Sequence, residues 1–192
     1  MMSRTTELQA VNVLLATIGE SPVNTLETTE QPQEAVIART TLNETSITVQ
    51  SEGWNFNTQR HFKLVPDTGG RLVVPNNCIH LVPVVPTQHA EVALRGDKVF
   101  NRDTNSYVFK APVWVDMIVL LDFNELPQTA RRYITAKAAR LFQQRFVGSQ
   151  TLDAYAREEE ARARADLLRD DAVSSGYNML TDSYTMTRLL RR

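Results

Sequence analysis

The chain has 192 residues, a formal net charge of −1, and 42% hydrophobic against 22% charged side chains; that suffices to bury a substantial core, as one domain or as one domain carrying an insertion. A balance so near neutral argues against a protein built mainly to grip nucleic acid, which carries a basic surplus. The single cysteine, Cys78, excludes an internal disulfide and a cysteine-framed zinc site, and implies a reducing compartment during folding.

The opening MMSRTTELQAVN lacks the apolar core of a signal peptide. No run approaches the roughly 18 consecutive apolar residues of a membrane span. The expectation is a soluble chain with no membrane association, not exported by the usual route and free of cofactors. Thr5 and Thr6 can cap a first helix, with Glu7 in its first turn. Leu8, Val11, Leu15 and Ile18 then recur on one face until Gly19 stops it. After the polar connection SPVNTLETTEQPQ, a second helix is expected from about Gln33 to Ser51 through Ala35, Ala38, Leu42 and Val49, ended by Gly53. Trp54 and Phe56 follow as large apolar anchors, and Trp54 is expected to hold this helix against the strands beyond it.

At about Thr58 the pattern changes. The runs HFKLV, RLVV, CIHLVPVV, EVAL, KVF, YVF and VWVDMIVLL are separated by turn signals such as PDTGG, PNN and RGD. Short β-branched segments bounded by Pro, Gly, Asn and Asp mark an antiparallel sheet. Pro83 and Pro86 place their strand at an edge or a bulge. The β pattern ends at Asp122.

Leu126–Asp171 reads as two long helices broken at Val147-Gly148-Ser149, with Pro127 suited to the first turn. From Gln128 to Val147 every formal charge is positive: Arg131, Arg132, Lys137, Arg140 and Arg145. From Gln150 to Val173 the balance is acidic. A short connection makes such helices antiparallel neighbours, the acidic one beside the basic one. Within the last helix Asp153–Arg157, Glu158–Arg162 and Glu160–Arg164 have the favoured spacing, each pair contributing about 0.2–0.5 kcal/mol. Ala161, Ala165, Leu168 and Ala172 form one narrow stripe, and Ala156, Ala163 and Leu167 a second beside it. Two stripes suit a helix touched from two sides, which makes Ala161, Arg162, Ala165 and Leu168 candidates for contact between subunits; a solvated exterior helix is the competing reading. The fold class expected is α+β: a helical bundle with long antiparallel helices (1–57 and 126–173), an inserted antiparallel β lobe (58–125), and an extended C-terminal tail (174–192).

Candidate chemistry is thin. His61, His80 and His89 match no zinc spacing. Glu158, Glu159 and Glu160 point in three directions on a helix, whereas paired catalytic carboxylates face each other roughly 5–10 Å apart. No GxSxG, P-loop or GxGxxG occurs. Gly69-Gly70 and Arg95-Gly96-Asp97 read as turns, and Cys78 as packed. The basic third helix lacks the interleaved aromatics of a stacking surface, so no catalytic, metal or cofactor residue is assigned.

Several blocks resemble one family. They are AVNVLLATIGESPVNTLE (10–27), SEGWNFN (51–57), ELPQTARRYITAKAARLFQQRFVG (125–148), EEEARARADL (158–167), SGYNML (175–180) and the terminal LLRR. Together they are similar to tail tubular protein A, the head-to-tail adaptor or gatekeeper of short-tailed, autographivirus-type phages; region 62–122 matches by pattern more than by residue. The resemblance implies a non-enzymatic virion protein forming a dodecameric ring between the portal and the tail nozzle (tail tubular B) protein. It implies a helical ring body, a projecting β lobe and a C-terminal tail docked on the portal. Genome DNA would pass through the ring's channel without sequence-specific binding. The location implied is the head–tail junction of the virion, after assembly in the host cytoplasm. Carried onto this sequence, the portal-binding residues are Tyr177, Asn178, Met179 and Leu180, with Leu189, Leu190 and Arg191. The competing readings are a virion-associated glycan hydrolase, drawing on Asp67, Glu91, Asp97, Asp103, Asp116 and Asp122, and a nucleic-acid-binding module.

Overall fold

The structure is a computed structural model that describes residues 4–27, 32–84 and 91–175. Those residues form a mixed α+β protein with four α-helices and two small antiparallel sheets. The chain divides into two compact units. One takes the chain up to Thr45 and again from Leu126 onward; the other is Ser46–Glu125, so its upstream limit falls inside a helix.

In the first unit, α1 spans Glu7–Ala16. Thr6 accepts the Gln9 N–H while the Gln9 side chain accepts the Thr6 N–H, a reciprocal cap that satisfies two orphan donors. Its buried side chains are Ala10, Val11, Leu14 and Leu15. Leu8 and Ile18, expected on the buried face, are half-buried, since the helix stops at Ala16 and the inward face is centred on Val11 and Leu14. Helix α2 runs Gln33–Gln50, with Ala35, Ala38 and Leu42 fully buried. Arg39 pairs with Glu7 at 2.8 Å and ties α2 to α1.

Helix α3 is Gln128–Phe146 and α4 is Gln150–Ser174. Pro127 is not in the first turn of α3 but caps it from outside, with ψ 151°. Arg131, one turn on, is 3% exposed and donates to the carbonyls of Leu126 (2.9 Å) and Thr5 (2.7 Å), so a buried guanidinium clamps the chain before α1 to the start of α3. Burial lowers its pKa, with Arg4 adding to the effect. Between the helices Gly148 adopts φ +64°, and Ser149 caps α4. This left-handed residue reverses the chain at little steric cost.

The partners across α3 and α4 run in opposite order. Thr129 meets Asp170, Arg132 meets Asp166 at 2.9 Å, and Arg140 meets both Glu160 and Asp153 at 2.8 Å. The opposite charges read in the sequence therefore face each other. Asp153–Arg157 and Glu158–Arg162 also form. Glu160–Arg164 is corrected: Glu160 turns to Arg140, and Arg164 donates to the Tyr133 hydroxyl at 2.8 Å. Both sit on the side facing α3, where a partner on the neighbouring helix competes with one along the same helix.

The second unit centres on a three-stranded antiparallel sheet of order β1-β5-β2, made of Thr58–Leu64, Val113–Val119 and Cys78–Pro83. A two-stranded sheet pairs β3 (Val92–Arg95) with β4 (Lys98–Asn101). Pro83 ends an edge strand, where a missing N–H is tolerated; Pro86 lies outside the described residues. Two segments expected as strands, RLVV and YVF, are instead isolated bridges, Arg71↔Val108 and Val73↔Lys98. Their hydrogen bonds go to separate stretches of chain, so neither completes a ladder. Strand β1 carries a bulge between Gln59 and Phe62, where His61 has φ +55° and donates its N–H to Asp116 at 2.7 Å. One cluster that includes Leu72, Val99, Val115 and Met117 forms the core.

The SEGWNFN block acquires a physical meaning here. Trp54 is buried, lies parallel to Phe56, and donates its indole N–H to the Val49 carbonyl at 2.7 Å. Asn57 accepts the Trp54 N–H and donates to the carbonyls of Gln50 and Val119. Gln50 exchanges two hydrogen bonds with the backbone of Leu121, and its amide also reaches Ser46. Gly53 has φ +76°, and a Cβ there would stand 2.7 Å from Ile118 Cδ1. Those residues stitch the end of α2 to the end of β5.

Candidate functional site

The inter-subunit candidates lie on one face of α4, Ala161, Arg162 and Ala165 being exposed and Leu168 50% exposed. The second stripe turns inward: Ala163 and Leu167 are buried and Ala156 is half-buried. The helix thus spends one stripe on its own fold and leaves the other outside. Around the outer stripe stand Glu158 and Arg162, paired with each other, and further along Val173 at 75% exposure. This surface is apolar in its middle and charged at its edges, an arrangement found at protein–protein interfaces.

The portal candidates Tyr177, Asn178, Met179, Leu180, Leu189, Leu190 and Arg191 lie outside the described residues, as does His89. His61 is spent on the β1 bulge, and His80 belongs to edge strand β2. The described residues contain no group of three or more His, Cys, Asp or Glu that could hold a metal ion. Cys78 is buried; desolvation raises its pKa, partly offset by a contact with the His80 carbonyl. Asp67, Asp103 and Asp116, drawn on by the hydrolase reading, each accept backbone N–H groups in their own surroundings. Glu158 and Glu160 point to Arg162 and Arg140. The positive charges of α3 are likewise engaged: Arg132 and Arg140 by α4, Arg145 by Glu44 and Thr41, and Lys137 over the Tyr133 ring. Among the described residues no helix is long and apolar enough to cross a membrane.

The network at the α3–α4 contact controls one titration. Asp153 is held below the usual carboxylate range, first by the hydrogen bond from Arg140, then by Gln144 and by the charges of Arg140 and Arg157. Arg140 is raised in turn, first by Glu160 and then by Asp153. These ionised partners fix the pose of α4, and so where its outer face points.

What fold and surfaces define is an α+β chain with exposed helical faces and, among the described residues, no cluster that could hold a metal ion. Comparison with known proteins supplies the family. A model of the family described as tail tubular protein matches residues 8–177, and the chain belongs to that family. It is similar to tail tubular protein A of Klebsiella phage KP34, 26% identical over 187 residues that cover 97% of this chain and 95% of that protein. The protein is therefore a structural component of a phage tail: it resides in the virion and assembles there with other virion proteins. The residues that sequence reasoning missed are the buried amides Gln50, Asn57 and Gln143. An Asn or Gln at helical or turn spacing gave no sign of burial.

Proposed function

We propose that this chain is the head-to-tail adaptor, a ring, dodecameric in this reading, that joins the portal to the tail nozzle and forms part of the channel for DNA ejection. The observation that carries the reading is the match to the tail tubular family across nearly the whole chain, together with the near-complete mutual coverage with a phage tail tubular protein A. The two stripes of α4 support it. A helix fixed by Arg132 and Arg140 on one side, with Ala161, Ala165 and Leu168 outward on the other, suits a subunit with a neighbour on its flank.

In this reading the helices form an antiparallel bundle that builds the ring body. The C-terminal tail, 174–192, docks on the portal through Tyr177, Asn178, Met179 and Leu180, with Leu189, Leu190 and Arg191. Tyr, Met and Arg are enriched at interfaces. DNA passes without sequence-specific contact, and assembly takes place in the host cytoplasm before the ring is fixed at the head–tail junction. The test is a truncation from Ser174 onward. The shortened chain should keep its far-UV circular dichroism and lose portal binding in a pull-down; unchanged portal binding would remove the docking assignment.

A further inference from the structure

The first unit carries a groove of about 430 Å³ between α1, α3 and α4. Its floor is a straight helical stripe of α3: Arg132, Ala136, Ala139 and Gln143. Small side chains there let a foreign helix approach closely. Val13 of α1 and Tyr155 of α4 form apolar walls, and they are 47% and 69% exposed. A tyrosine so bare beside the two alanines of the floor makes an exposed apolar surface among the described residues.

The floor also holds a polar group without a partner. Gln143 is 8% exposed, and among the described residues its side-chain amide makes no hydrogen bond. Buried amides are nearly always satisfied. This one lines the groove, so an occupant offering both a donor and an acceptor would meet its need.

We propose that the occupant is the outer face of α4 from a neighbouring copy of this chain, which deepens the ring reading above and rests on it. That face offers the matching chemistry. Ala161 and Ala165 give a low ridge, and beside them Glu158 supplies an acceptor and Arg162 a donor, both exposed. The angular arrangement also fits. At roughly 100° per residue, the α4 residues that wall the groove and those that form the ridge diverge by about 140° around the helix. Neither surface overlaps the other, so one copy can accept a neighbour and be accepted by the next. Such a contact is heterologous: repeated with a closing rotation it gives a ring, and without closure a filament.

The size of the contact sets its strength. The floor from Arg132 to Gln143 spans about 17 Å at 1.5 Å per residue. With a helix face about 10 Å wide, the contact covers on the order of 170 Å² per partner, about a fifth of the roughly 800 Å² of a standard stable interface. One such contact holds a pair weakly, while each subunit of a closed ring makes two.

The test places one cysteine in each surface, Ala139→Cys with Ala165→Cys, in the full chain assembled into virions. Wild-type chain is co-supplied so that particles form, and native Cys78 stays buried. Oxidation should give a ladder of dimers, trimers and higher species on non-reducing gels, with neither single variant cross-linking. Val13→Cys with Ala161→Cys is the second pair. Dimers from Ala165→Cys alone would mean a two-fold contact and overturn the proposal, as would intact tails with no ladder from either pair. Intact head–tail joints without a ladder would leave the adaptor reading standing. A ladder in particles whose chain is found away from the head–tail junction would instead remove the adaptor reading and leave the groove contact.

Discussion

In the sheet unit, side chains from Leu64 to Val119 share one apolar core, and the buried amides of Gln50 and Asn57 spend every donor and acceptor on neighbouring groups. In the helical unit, α4 fully buries only Ala163 and Leu167 and is held to α3 by the polar partners Thr129, Arg132, Tyr133, Arg140 and Gln144. The first arrangement joins apolar side chains and neutral amides, so it should respond less to salt and acid. The second depends on charge, and it leaves the outer face of α4 exposed, the face that serves assembly in the proposed ring. A helix that buried a wide apolar face would be better anchored but would have less to offer a neighbour.

The two tryptophans, Trp54 and Trp114, both lie in the sheet unit, so their fluorescence follows that unit while far-UV circular dichroism is dominated by the helices. The largest expected effect is Asn57→Ala. It strands the Gln50 and Val119 carbonyls and the Trp54 N–H, and should lower stability by about 2–4 kcal/mol in urea unfolding followed by fluorescence. An effect below half a kilocalorie would mean that water replaces the side chain. Next is Arg131→Ala, which removes the clamp on Thr5 and Leu126. A loss of about 2–3 kcal/mol is expected in the dichroism transition, with the fluorescence transition less affected.

Arg140→Ala comes third, at about 1–3 kcal/mol for charge-assisted hydrogen bonds. It should also make the dichroism midpoint less sensitive to added salt, because the partly buried pairs to Asp153 and Glu160 are gone. The pH dependence sharpens the same contrast. Asp153 has a depressed folded-state pKa, so its stabilisation is present above the ordinary aspartate value and is lost as pH falls through the folded value. Acid should loosen the helical unit by this route, and Asp153→Asn should lower neutral stability and flatten the acid limb. The smallest effect expected is Arg162→Ala, an exposed pair within about 0.5 kcal/mol of the parent chain. Its consequence should appear in assembly and not in folding.

Much of the fold was legible because it is local. The cap at Thr6, the break at Gly148 and the opposed charges of the last two helices are each set within a few residues, and the structure places them where the sequence reading did. The pairing Glu160–Arg164 was misread for the opposite reason: the spacing along one helix says nothing about Arg140 on the next. RLVV and YVF were read as strands on β propensity, which does not reveal whether a second strand lies alongside. The buried roles of Gln50, Asn57 and Gln143 were invisible, since their polarity argues for the surface until tertiary contacts are known. At the candidate site, the two stripes of α4 could be read from the spacing of its alanines, but which of them turns inward could not. The groove that would receive the outer stripe could not, because it is formed by three helices distant in sequence.

The most direct measurement is native mass spectrometry of the full-length chain, alone and mixed with its portal. A head-to-tail adaptor held by weak pairwise contacts should be largely monomeric alone and form a ring-sized complex with the portal. A chain that remains monomeric in both samples would contradict the adaptor assignment.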